Sequence, residues 1–134
     1  MPEVIIFPDV VVALGDYLNG EFVDRGETAT VCTTIPTPRP DRLVRLRRIA
    51  GTRNGPVIDR AMVSVECWAL HEEDAHDIAQ LVRGLIYAAR GTTLGTTVIY
   101  HVAEIGGPAL LPDPESDAPR YVATYEIGTR GRAA

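Results

Sequence analysis

Apolar and polar positions change period several times along this chain, and each change predicts an element. After a short apolar run, Pro8-Asp9 places a proline and a carboxylate where the first turn of a helix accepts them. Val10, Val11, Leu14, Tyr17 and Leu18 follow at helical spacing, and Asn19-Gly20, a pair that tolerates left-handed dihedrals, predicts the end. Val23 to Ala29 reads as a loop and Thr30 to Ile35 as a short β-branched strand, closed by Pro36, Pro38 and Pro40. Asp41 to Ile49 alternates Val44 and Leu46 with Arg45 and Arg47, the pattern of a strand that buries one face and offers the other to something acidic. Ala61 to Leu70 alternates again, with Val63, Val65, Cys67 and Ala69 on one face and Met62, Ser64, Glu66, Trp68 and Leu70 on the other. Between these arms, residues 51–59 are too many for a two-residue turn and predict a projecting loop with its turn at Asn54-Gly55-Pro56.

His71 to Arg90 gives the clearest helical pattern. Glu72, Glu73 and Asp74 load its first turn, Arg83 and Arg90 its later turns, and Gly91 ends it. Ala75, Ile78, Ala79, Val82, Leu85, Ile86 and Ala89 form one stripe that can cover a sheet. Gly84 inside it costs up to about 1 kcal/mol relative to alanine and predicts close packing or a bend. Strands at Thr97 to Ile105 and Arg120 to Ile127 follow, separated by a proline-rich excursion, and residues 128–134 read as a flexible tail. The expected fold is α+β: a mostly antiparallel sheet with two helices packed on one face and a long projecting hairpin loop, in a single domain over residues 1–134.

Charge and composition narrow the chemistry. The net charge is −5, which argues against a general binder of nucleic acid, yet all 13 basic residues are arginine and five of them fall between Arg39 and Arg48. Each such cation is planar, permanently charged and able to grip a carboxylate bidentately. Glu66 is the natural cross-strand partner for Arg45 or Arg47 and therefore an internal rival for any outside acid. Cys32 and Cys67 sit in apolar strand-like runs, which predicts buried small hydrophobes and a reducing compartment. Neither an export signal nor an apolar run of the roughly 20 residues needed to cross a bilayer is expected.

No catalytic constellation assembles from these residues. His71 and His76, five apart among helix-start carboxylates, face different ways and fit dipole compensation better than a metal. Cys32 or Cys67 with His76 or His101 lacks the surroundings that activate a thiol. Glu104 and Glu126 read as surface strand carboxylates, and the acidic loop of Asp113, Glu115 and Asp117 has no calcium-loop spacing. The glycines near 91, 95 and 106–107 read as turns rather than a phosphate cradle. No cofactor and no metal is expected.

The ordered set PEVIIFPDVVVALGDYLN, PRPDRLVRLRRIAG with VIDRAMVSVECWA, EEDAHDIAQLVRGLI and VAEIGGPALLPDPESDAPRY resembles the tail terminator proteins of long flexible-tailed bacteriophages, most nearly the actinobacteriophage type. Only Glu21 to Thr30 falls outside the likeness. Ala50-Gly51 stands where two glycines are expected, and Gly84 where alanine is usual. The resemblance implies a non-enzymatic virion protein of the tail neck, assembled in the host bacterial cytoplasm. It implies a homo-oligomeric ring, usually a hexamer, that caps the head-proximal end of the tail tube, ends tube polymerisation and joins the tail to a head-tail connector or head-closure protein. DNA would pass through without specific binding, and no membrane is involved. A closed ring needs two different patches meeting head to tail. Arg45, Arg47 and Arg48 are the basic candidates for the subunit interface, with Glu72, Glu73 and Asp74, or Asp113 and Asp117, as their complement. Arg53, Asn54, Gly55 and Pro56 are candidates for contact with the tube protein or the connector. The alternatives are another neck protein, of the head-closure or connector kind, and a small-molecule enzyme using Cys67 or His76.

Overall fold

In the computed structural model, which describes residues 2–134, ten elements follow one another. They are β1 (Ile5–Ile6), α1 (Val10–Arg25), β2 (Thr30–Cys32), β3 (Leu43–Arg53), β4 (Ile58–Trp68), α2 (Glu72–Ala88), β5 (Thr92–Leu94), β6 (Thr97–Leu110), β7 (Arg120–Arg130) and β8 (Arg132–Ala133). One six-stranded sheet has the order β2-β3-β4-β7-β6-β5, and β1 with β8 forms a separate two-stranded ribbon. Every pair is antiparallel except β2 with β3, so the fold is the expected α+β with the sheet dominating. Three register shifts between β6 and β7 add bulges that curl the sheet at that side.

The core lies between the sheet and the two helices. Val44 and Leu46 of β3, Ala61, Val63, Val65 and Cys67 of β4, and Ala123, Tyr125 and Ile127 of β7 meet the α2 stripe of Ala75, Ile78, Ala79, Val82, Leu85 and Ile86. Alternation along β4 places those residues inward as the sequence predicts. The Tyr17 hydroxyl donates to the Leu85 carbonyl at 2.8 Å and ties α1 to α2.

Strand β2 ends at Cys32 rather than Ile35, β1, β5 and β8 are short strands that the pattern does not predict, and four longer stretches depart further from the expectations. Helix α1 does not stop at Asn19-Gly20 but runs to Arg25, because Phe22 continues the spacing of Leu14 and Leu18 and is itself only 1% exposed. Asp9 caps its start, accepting from the Val11 and Val12 amides at 3.1 and 3.2 Å, and Gly26 ends it in the left-handed region with φ 73°. The long projecting loop at 51–59 is not formed. Strand β3 continues to Arg53 and β4 starts at Ile58, with Ala50, Gly51, Thr52 and Arg53 paired to Met62, Ala61, Arg60 and Asp59, so residues 54–57 alone make the turn. A register shift after Arg48 lets Ile49 bulge out and the ladder resume. Thirdly, the tail predicted flexible from 128 is structured: residues 128–130 complete β7, and Ile5 and Ile6 pair with Ala133 and Arg132. Lastly, β6 reaches Leu110, beyond the predicted Ile105, because β7 supplies partners for Gly106, Ala109 and Leu110.

Phe22 tests the extended helix. Phe22→Ala should cost about 3–5 kcal/mol in urea unfolding, the range for emptying a buried aromatic site. A loss below about 1 kcal/mol would mean that α1 ends where the Asn-Gly pair predicts.

Candidate assembly surface

Glu66 sits in the middle of β4 with its side chain on the sheet face away from the helices, and is 2% exposed. A carboxylate this buried is stable as an anion only among donors. Three arginines supply them. Arg45 and Arg47 of β3 place guanidinium nitrogens 2.8 and 3.2 Å from Glu66 Oε1, and Arg120 of β7 places one 2.9 Å from Oε2. The register sets this up, since Arg45 stands directly opposite Glu66 across the β3–β4 pair. Arg120 enters because β7 flanks β4 on its other side, with Arg120 opposite Trp68.

Trp68 extends the same cluster. It is 1% exposed although it lies on the outer face. Two proline-rich segments cover that end of the face: the 36–42 link brings Arg39, and the 111–119 excursion brings Asp113. The guanidinium groups of Arg39, Arg45 and Arg120 lie 5.2, 5.5 and 5.9 Å from the indole ring, within cation–π range. The indole Nε1 donates to Asp113 Oδ2 at 3.0 Å, and Arg39 donates to the same oxygen at 3.1 Å. Asp113 also closes its own loop by accepting from the Glu115 and Ser116 amides. These contacts hold its carboxyl down at about 2: the Glu115 amide leads, partial burial opposes, and Trp68, Ser116 and Arg39 add to the lowering. Four guanidinium groups thus face two carboxylates, and the surface stays net basic although its cations are paired.

Arg48 is not part of this patch. It stands opposite Val63, on the helix side of the sheet, where it grips the buried Asp59 at 2.6 and 2.9 Å. The hydrogen bond to Asp59 leads in raising the Arg48 guanidinium above its ordinary value, against the effect of burial. Gly51 makes room for this pair, because a Cβ there would collide with the Arg48 guanidinium. At the tip Arg53 donates to the Pro56 carbonyl at 2.8 Å and lies over the Phe7 ring, while Asn54, Gly55 and Pro56 are exposed. Glu72 and Glu73 are exposed on the first turn of α2, and Asp74 reaches Arg42 at 4.0 Å. Arg42 in turn holds Glu27 at 2.7 Å; burial acts to raise the Glu27 carboxyl, but its hydrogen bonds to Arg42 and the Ala29 amide leave it below the ordinary value. Asp117 is exposed, with φ 57°.

The structure therefore brings Arg45, Arg47 and Asp113 into one cluster and leaves Arg48, the α2 start and the hairpin tip apart from it. Alternation places Trp68 on the Glu66 face, but Arg39 and Arg120 are cluster members that it does not reveal. The signal available was a tryptophan on the polar face of the strand, two residues beyond Glu66, which needs a cover from elsewhere in the chain. The residues considered for chemistry are dispersed. Burial pushes both cysteine thiols upward, Cys67 far more than Cys32, which suppresses the nucleophilic thiolate. His76 Nδ1 lies against Asp77 and its ring meets Tyr121 edge-on, whereas His101 Nε2 lies 3.0 Å from Glu126. Glu104 is opposite Tyr125 and pairs with Arg83 on the helix side, so the sheet separates it from Glu126. No helix among the described residues is long and apolar enough to cross a membrane.

A family model described as phage tail termination protein matches residues 6–134. Among solved structures, a chain from the virion of a native gene transfer agent particle has a similar fold, with a TM-score of 0.62 and 16% identity over 91% of this chain and 95% of that chain. At that identity the likeness speaks for the fold. Comparison with curated proteins gave no match.

Two measurements test the cluster. Glu66→Ala should lower stability in urea unfolding by about 3 kcal/mol, the low end for breaking a buried pair because its arginines keep some water. Arg47→Ala, whose side chain is 51% exposed, should cost less than about 1 kcal/mol. A loss below that figure for Glu66→Ala would mean that the carboxylate does not organise the face. The second uses pH. The Asp113 carboxyl lies below its unfolded value, so its anchoring is present above about pH 4 and is lost as pH falls through about 2. Trp68, the one tryptophan, should report this in fluorescence as a transition with midpoint near 2 that is missing in Asp113→Asn. A midpoint near 4 would show that the carboxyl is not held.

Proposed function

The chain belongs to the family of phage tail termination proteins, and on that premise we propose that it forms a ring, a hexamer, closing the head-proximal end of the tail tube. Family membership gives a structural role at the tail end and points away from an enzyme. In the proposed reading the ring ends polymerisation of the tail tube protein, joins the tail to a connector or head-closure protein, and lets DNA pass without sequence-specific contact. Residues 1–134 act as one ring-forming domain, assembled in the cytoplasm of the host bacterium and kept in the neck of the virion.

The observation that carries this reading is the family match across residues 6–134, which takes in the whole six-stranded sheet and both helices. The surface chemistry is compatible with it. A paired arginine face such as that around Glu66 is rigid before contact, so a partner carboxylate meets preplaced donors rather than mobile chains. Arg47 is the most exposed of the three and the natural member to reach a neighbour. Arg48, engaged with Asp59, contributes to such a contact by holding the β3–β4 hairpin in shape.

Native mass measurement of the purified chain should give a hexamer of the 14.5 kDa subunit. Added to polymerising tail tube protein, the hexamer should cap tubes at one end and stop growth. A ring that leaves tube growth unlimited would assign the chain to another tier of the neck. A chain that remains a monomer would remove the ring.

A further inference from the structure

Both outer strands of the six-stranded sheet have long stretches with no strand beside them. On one side β2 pairs only with Leu43, Val44 and Arg45, so residues 46–53 of β3 have no outer partner among the described residues. On the other, β5 pairs only with Thr97, Val98 and Ile99, and residues 100–110 of β6 are likewise open. Open edges of this length recruit another strand unless something blocks them.

These stretches differ from the rest of the sheet in burial as well. Residues 47–53 of β3 are exposed on both strand faces, as are residues 104–107 of β6. Each carries a large apolar side chain into solvent: Ile49 and Ile105 are both 53% exposed. Beside β3 a groove is lined by Leu46, Arg47 and Arg48 together with Phe7, Val12 and Thr33, the last of these just past the end of β2.

The two edges are unlike in charge: arginines crowd the β3 side, where Arg45, Arg47 and Arg120 share the single carboxylate of Glu66, whereas strand β6 has none. Strand β3 carries Arg45, Arg47, Arg48 and Arg53 and no carboxylate. Strand β6 carries no arginine or lysine, and its one carboxylate, Glu104, is held by Arg83 of α2. Beside the β6 edge, a trough against α2 is floored by Val102 and Tyr125, whose buried hydroxyl has no hydrogen-bond partner among the described residues. Arg83 of the same copy lines the trough and holds Glu104, so the unpartnered Tyr125 oxygen is the position left for a donor from a neighbouring copy.

We infer that the open β3 edge of one copy pairs with the open β6 edge of the next, through backbone hydrogen bonds, so that the sheets join across each subunit boundary. The edges are different surfaces, so the contact is heterologous and propagates head to tail, which is what ring closure requires. This inference rests on the ring reading, from which it takes the repeated contact between copies.

Hydrogen–deuterium exchange on the full chain tests it. Peptides covering 46–53 and 100–110 should exchange about tenfold more slowly, or slower still, in the assembled ring than in the dissociated subunit, because unpaired edge amides become paired. A cross-link gives the second readout. In a Cys32→Ser background, Ile49→Cys with Ile105→Cys should give a ladder of covalent multimers with a dithiol-reactive linker of about 10 Å, which spans roughly three residues of register offset. Either cysteine alone should give dimers at most. A ring seen by native mass whose edge peptides exchange as fast as in the free subunit overturns the edge pairing and leaves the ring standing. A chain that stays monomeric at all concentrations overturns the ring as well.

Discussion

A carboxylate buried in the middle of a sheet is the constraint from which this architecture follows. Glu66 has almost no contact with water and so requires cations, and it draws them from the strand on each side: Arg45 and Arg47 from β3, Arg120 from β7. The ion pairs therefore act on strand order as much as on energy. A shift of either neighbour along β4 would remove part of the anion's pairing, a cost that competing registers must carry. Arg45 and Arg120 also lie beside Trp68, which links the electrostatic centre to the apolar cover formed by the 36–42 and 111–119 segments.

The consequence is a sheet finished on two faces and unfinished at two edges. The inner face is sealed by α1 and α2, and the Trp68 end of the outer face by the proline-rich segments. Along β3 and β6 the backbone is left open well past the short strands that begin to cover it.

Much of this was legible in the residues. Alternation along β3 and β4 identified their inward sides and the pairing of Glu66 with Arg45, and the apolar stripe of α2 identified the helix that covers them. Local signals misled where a longer-range contact outweighed them. Asn19-Gly20 is a fair helix stop, but Phe22 gains more by packing than the glycine costs. Gly51 to Asp59 carries loop-forming residues, yet the bulge at Ile49 and the Arg48–Asp59 pair keep both strands going. The polar tail pairs with Ile5 and Ile6, a ribbon too short to show any period. Arg45, Arg47 and Arg48 look like one basic run, but strand alternation sends Arg48 to the opposite face.

Spacing along the chain specified both helices and the strands β2, β3, β4, β6 and β7, the apolar side of α2, β3 and β4, and that Glu66 has arginines within one strand's reach, but not the short β1, β5 and β8. These are properties of spacing, read over a few residues at a time. The tertiary structure alone decided that Arg120, 54 residues beyond Glu66, completes the cluster, that Trp68 is covered, and that β3 and β6 become the open edges. Those outcomes depend on which strands lie side by side, and strand order is settled by contacts between distant parts of the chain.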